Sequence, residues 1–255
     1  MVTIDHPLRT LGAALLVAAF AALLLIPSAS AAGACSRTGS TVFVDLGAAA
    51  EADSTFRKGT DGVLELAHGG SVDDCDGATP AGTNLILVSD GDGRGARFTL
   101  DSGGMTANMH FQVSLRDGND AFTLLGTNGN DALSVGTSPS AFGDTVVADT
   151  DGDGSANVDF FEVESFAVHG LNGNDRLSGS PGKGLEPVGR PLTLLGSGGD
   201  DTLVGGKSSD MLNAGSGKDM LSGEFGNDRM VAGSGSDRCK GGPGADRLKG
   251  CERKS

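Results

Sequence analysis

From residue 196 to residue 249 an aspartate returns every ninth position. Aligned on it, the chain falls into six rows: GSGGDDTLV (196–204), GGKSSDMLN (205–213), AGSGKDMLS (214–222), GEFGNDRMV (223–231), AGSGSDRCK (232–240) and GGPGADRLK (241–249). Position six is Asp201, Asp210, Asp219, Asp228, Asp237 and Asp246; position eight is Leu203, Leu212, Leu221, Met230, Cys239 and Leu248. One apolar side chain between mostly polar neighbours is the period-two signature of a short strand with its middle residue inward. The glycine-rich first half of each row must turn. Strand–turn–strand–turn makes an 18-residue coil, and coils stack as parallel strands about 4.8 Å apart. Alternate rows then share a side, so Asp201, Asp219 and Asp237 form one column and Asp210, Asp228 and Asp246 the other.

Such columns repel unless neutralised. Like charges about 5 Å apart cost roughly 3–4 kcal/mol at an effective dielectric of 20. A hard divalent cation between coils reverses the sign, and calcium accepts carboxylate and carbonyl oxygens in flexible geometry. Single copies of the pattern precede the array: LRDGNDAFT (115–123), GTNGNDALS (126–134) and GLNGNDRLS (170–178), with Asp120, Asp131 and Asp175. A different loop, DTDGDGSANVDF (149–160), places Asp149, Asp151 and Asp153 as in the first half of a D-x-D-x-D-G calcium loop. The glutamate such a loop ends on would fall at Phe160, so a plain polar hairpin loop is the competing reading.

These rows resemble the repeats-in-toxin, or hemolysin-type, calcium-binding repeat, G-G-x-G-x-D-x-U-x with U large and apolar. The resemblance implies a parallel β-roll with calcium bridging turns one coil apart: Asp201 with Asp219, Asp219 with Asp237, Asp210 with Asp228, and Asp228 with Asp246. Departures are Ala214 and Ala232 at position one, Ser197 and Glu224 at position two, and Ser208 at position four.

The remainder reads as all-β. Candidate strands are TVFVDL (41–46), VLELA (63–67), NLILV (84–88), RFTL (97–100), FQVSL (111–115), DTVVA (144–148), VDFFEV (158–163) and SFAV (165–168). GAAAEADSTF (47–56) is the best candidate for a turn or two of helix. The expected organisation is a β-rich N-terminal region of hairpins or degenerate solenoid over 32–114, a degenerate calcium-repeat region over 115–189, and the β-roll over 190–255. Residues 1–31 read as a secretory signal peptide: Arg9, the apolar run Leu11–Ile26, then Ala29 and Ala31 before the cut. An uncleaved anchor and lipidation at Cys35 are the alternatives; no other stretch could cross a bilayer. An exported chain with Cys35, Cys75, Cys239 and Cys251 is expected to hold two disulfides, Cys35–Cys75 and Cys239–Cys251, against free thiols.

A net charge of −14 argues against nucleic-acid partners. Residues 190–255 are balanced, so the acidic excess lies upstream. There is no HExxH and no G-x-S-x-G, and His68, His110 and His169 are scattered. The expectation is a secreted, extracellular, non-enzymatic calcium-binding solenoid. A cell-surface adhesion or glycan-interaction module and a hydrolase using the acidic upstream region remain open. Arg229, Arg238 and Arg247 at position seven read as a solvated face or as a basic patch for an anionic cell-surface polymer.

Overall fold

A computed structural model describes residues 34–46, 53–89, 95–106, 108–115, 119–140, 143–149, 157–161, 163–180 and 185–254. Residues 1–31, read above as a signal peptide, lie outside them. Within the compact unit Ala31–Ser255 the chain winds between two sheets. Successive strands alternate between them: Thr41–Asp45, Leu85–Ser89 and His110–Ser114 in the first, Asp53–Lys58, Arg97–Asp101 and Ala121–Leu125 in the second. Each strand pairs in parallel with the one a coil away. The two sheets run on through Arg253–Lys254 and Arg247–Lys249, so the stack is all-β and mostly parallel from end to end.

The eight strands expected upstream of the array are all present, within a residue or two at most ends. The two alternatives for that region coexist. The solenoid starts upstream of the repeats, and antiparallel excursions interrupt it: Asp53–Lys58, Leu64–His68 and Ser71–Asp74 form a meander at one end of the second sheet. Ala132–Ser140, Gly143–Asp149 and Val158–Phe161 form another within the first. The helix expected over 47–56 is corrected where the structure describes it. Residues 53–56 belong to the strand Asp53–Lys58, because Ser54 and Phe56 alternate inward and Phe56 packs edge-on against Phe111, ring centroids 6.1 Å apart.

The core changes character along the stack. Upstream it holds Phe56, Phe98, Phe111, Phe122, Phe160 and Phe166, with Phe122 and Phe160 centred 4.4 Å apart. In the nonapeptide rows the strands offer one large inward residue each: Leu203, Leu212, Leu221, Met230 and Cys239 are buried in turn, between neighbours that are not. The sole aromatic residue of that segment, Phe225, is exposed.

Both expected disulfides form, and each sits at an end of the stack. Cys35–Cys75, with Cα atoms 4.7 Å apart, ties the outermost strand of the first sheet, Ala34–Thr38, to the chain leaving Ser71–Asp74, the outermost strand of the second. Cys239–Cys251, 5.8 Å apart, joins the strand Arg238–Lys240 to the residues that lead into Arg253–Lys254. Sheet edges carry unpaired backbone groups, so the crosslinks hold the coils that have a neighbour on one side only.

Candidate metal centre

Each position-six aspartate stands just before a strand and turns its carboxylate toward the preceding coil. The backbone N–H of Asp201 donates to Asp219 Oδ1 at 2.8 Å, and that of Asp219 to Asp237 Oδ1 at 2.9 Å. Asp175 joins upstream by donating to Asp201 Oδ1, and Asp131 by donating to Asp175 Oδ1. The other column runs from the Leu192 N–H to Asp210 Oδ1, from Asp210 to Asp228 and from Asp228 to Asp246. Asp120 lies on this second side, accepting from the Ala96 N–H. Two columns thus gather nine of the twelve aspartates expected as ligands. Asp149 ends a strand that the structure describes by its backbone, and Asp151 and Asp153 lie outside the described residues.

One oxygen of each carboxylate except that of Asp131 is accounted for by these backbone N–H bonds; Asp131 Oδ1 accepts from the Thr127 hydroxyl at 3.1 Å. The other divides the set. Asp210 Oδ2 accepts from the Gly206 N–H at 2.6 Å, and Asp131 Oδ2 from the Thr127 N–H at 2.7 Å. The Oδ2 atoms of Asp120, Asp175, Asp201, Asp219, Asp228 and Asp237 are buried without any hydrogen-bond partner. A buried acceptor left unmade costs about 1–3 kcal/mol, more when charged. Burial pushes the carboxyls of Asp201 and Asp210 up to about 6, and those of Asp175, Asp219 and Asp228 upward, with the neighbouring carboxylates adding to the rise.

The space beside these oxygens suits a hard cation. A methyl group built on Gly223 would meet Asp228 Oδ2 and, at 2.6 Å, the Gly241 carbonyl oxygen of the next coil; on Gly196 it would meet Asp201 Oδ2 and the Ala214 carbonyl. Carboxylate and carbonyl oxygens of adjacent coils therefore converge on the position-one glycines, the mixed oxygen set calcium takes. No cluster of three or more His, Cys, Asp or Glu suited to a metal occurs among the described residues; the columns combine carboxylates in pairs with carbonyls instead.

Residues 168–183, 195–230 and 214–248 match the family model of the RTX calcium-binding nonapeptide repeat, in four copies. These rows are RTX calcium-binding repeats. No curated protein matches the chain significantly. The RTX departures from consensus have local explanations. Ala214 and Ala232 fall inside the longer strands Met211–Ser216 and Arg229–Ser234, where they are buried. Ser197 and Glu224 keep the left-handed backbone of the glycines they replace, at φ 92° and 68°, and Glu224 Oε1 accepts from the Ser222 hydroxyl. Ser208 donates its hydroxyl to the Gly189 carbonyl.

A second ladder escaped the sequence reading. Position five runs the opposite way: the Asp200 N–H donates to Asn174 Oδ1 and the Lys218 N–H to Asp200 Oδ1, both at 2.8 Å, while Ala245 donates to Asn227. The N-D pairs at 130–131, 174–175 and 227–228 were its only signal. His68 pairs with Asp73 at 2.9 Å and His110 faces Asp159 at 3.8 Å, each on its own strand.

The raised carboxyls fix a pH dependence. Without calcium the folded rows bind protons that the unfolded chain has released between pH about 4 and about 6. Stability of the calcium-free chain is therefore expected to fall as pH rises through that window. Calcium displaces the same protons, so its affinity should weaken below pH about 6 and its binding should release acid. Thermal melts of calcium-free protein across pH 4–8, with pH-stat titration, read both; calcium-free stability that climbs from pH 5 to pH 8 contradicts the assignment.

Proposed function

We propose that the chain is a secreted, non-enzymatic calcium-binding β-solenoid whose RTX segment is folded and stiffened by extracellular calcium. The observation that carries this is the row of buried carboxylate oxygens without donors, stacked coil on coil beside converging carbonyls. Asp175, Asp201, Asp219, Asp237, Asp210, Asp228 and Asp246 would hold the ions between coils, with Asp131 at the upstream end. Two disulfides support export to an oxidising compartment, and no helix among the described residues is long and apolar enough to cross a membrane. Because metal binding free energy adds to folding free energy, the test is circular dichroism of the intact chain during calcium titration. Strand signal that grows with calcium supports the reading; a signal indifferent to excess chelator overturns it.

A second reading concerns a partner. Arg229 and Arg247 are neighbours in register on the second sheet, Arg238 lies on the first, and all three are exposed without a carboxylate partner among the described residues. With Lys240 and Lys249 they supply positive charge on both faces of the array, which favours an anionic cell-surface polymer. Salt-sensitive retention on an anionic polysaccharide matrix that persists in the Arg229→Gln/Arg247→Gln variant would refute this role.

A further inference from the structure

We propose that Asp120 and Glu164 hold a calcium ion of their own, outside the residues that match the RTX repeat. The proposal rests on the calcium reading of the columns and extends it to a glutamate that belongs to no nonapeptide row.

Asp120 precedes the strand Ala121–Leu125 and Glu164 precedes Ser165–Asn172. The two strands are parallel neighbours, with Ser165 beside Ala121, so the two carboxylates occupy the same place one coil apart, as Asp210 and Asp228 do. The hydrogen bonds repeat the column rule: the Ala96 N–H donates to Asp120 Oδ1, and the Asp120 N–H donates to Glu164 Oε2 at 2.8 Å. The N–H and hydroxyl of Ser165 both donate to the Asp120 carbonyl, at 3.0 and 3.1 Å, and hold the turn. Forty-four residues separate the partners in sequence, because the meander of the first sheet intervenes.

One observation points to a ligand beyond the acidic pair itself. Asp120 is fully buried, and its Oδ2 has no hydrogen-bond partner. Glu164 is exposed, and its longer side chain gives an ion entering from solvent a ligand on the outer side while Asp120 supplies one within. A hard, oxygen-preferring ion is the matching class.

Calcium stoichiometry of the intact chain, by equilibrium dialysis, tests this with Glu164→Gln, Asp120→Asn and Asp219→Asn. Glu164→Gln and Asp120→Asn are each expected to lose about one ion. Glu164 is exposed, so its variant keeps the proposal testable if Asp120→Asn does not fold. Calcium bound by the wild type, lost in part by Asp219→Asn and fully retained by Glu164→Gln overturns this site and leaves the columns standing. One ion lost by Glu164→Gln with none lost by Asp219→Asn upholds this site and overturns the columns. A wild type that binds no calcium overturns both.

Discussion

Asp219→Asn and Asp228→Asn are each expected to cost the intact chain about two bound calcium ions, and Asp246→Asn about one. The difference follows from position in the columns. Asp219 stands between Asp201 and Asp237, and Asp228 between Asp210 and Asp246. Asp246 ends its column in the hydrogen-bond ladder. Asparagine keeps the Oδ1 acceptor that the preceding coil's N–H needs, so the ladder survives. What it removes is the charge and the second oxygen, which at Asp219 and Asp228 is buried and unpartnered. Equal losses at all three positions would contradict ions shared between adjacent coils.

Gly217→Ala is expected to destabilise the chain by about 3 kcal/mol or more. Gly217 has φ 140°, a region side chains rarely enter, and an added Cβ would collide with the Gly199 carbonyl oxygen of the coil before it and lie 2.5 Å from the carbonyl carbon. The atom in the way is backbone, and it is held by the coil stacking that defines the fold. Relief therefore requires the coils to part, which also separates Asp201 from Asp219. Gly39→Ala is the control: φ there is 62° with no atom within 4 Å of the added Cβ, so the cost is the left-handed penalty alone, about 1–2 kcal/mol. Chemical denaturation of both variants decides it, and a loss at Gly217 no larger than at Gly39 contradicts the packing account.

The aspartate spacing made the RTX coils legible because six uninterrupted rows leave one register that buries Leu203, Leu212 and Leu221 together. Alternation made the upstream strands legible too, through segments such as TVFVD and RFTLD. Residues 53–56 entered the helix expectation because the alanines and glutamate just before them favour helix locally, whereas Phe56 is claimed by the core around Phe111. Neighbours across the stack were hidden wherever the chain leaves the 18-residue coil. Asp131 meets Asp175 across 44 residues and Asp175 meets Asp201 across 26, separations that no row alignment contains. Glu164 was hidden for the same reason, and because VESF carries no glycine turn to mark it. The closed oxygens of Asp131 and Asp210 depend on which N–H the local turn aims inward, which spacing does not encode.

The upstream coils and the RTX coils should respond differently to loss of calcium. Phe98, Phe111, Phe122 and Phe166 give the former a core that owes nothing to an ion. A nine-residue RTX row buries one large apolar side chain, worth about 1.5–3 kcal/mol, while stacking carboxylates that repel. Amide hydrogen exchange of the intact chain, in calcium and then in excess chelator, reads the two regions separately. The account predicts that chelation abolishes protection in the strands from Thr202–Val204 to Arg247–Lys249 and preserves it in Leu85–Ser89, Arg97–Asp101 and Ala121–Leu125. Protection of Leu203, Leu212 and Leu221 that is the same with and without calcium would contradict it.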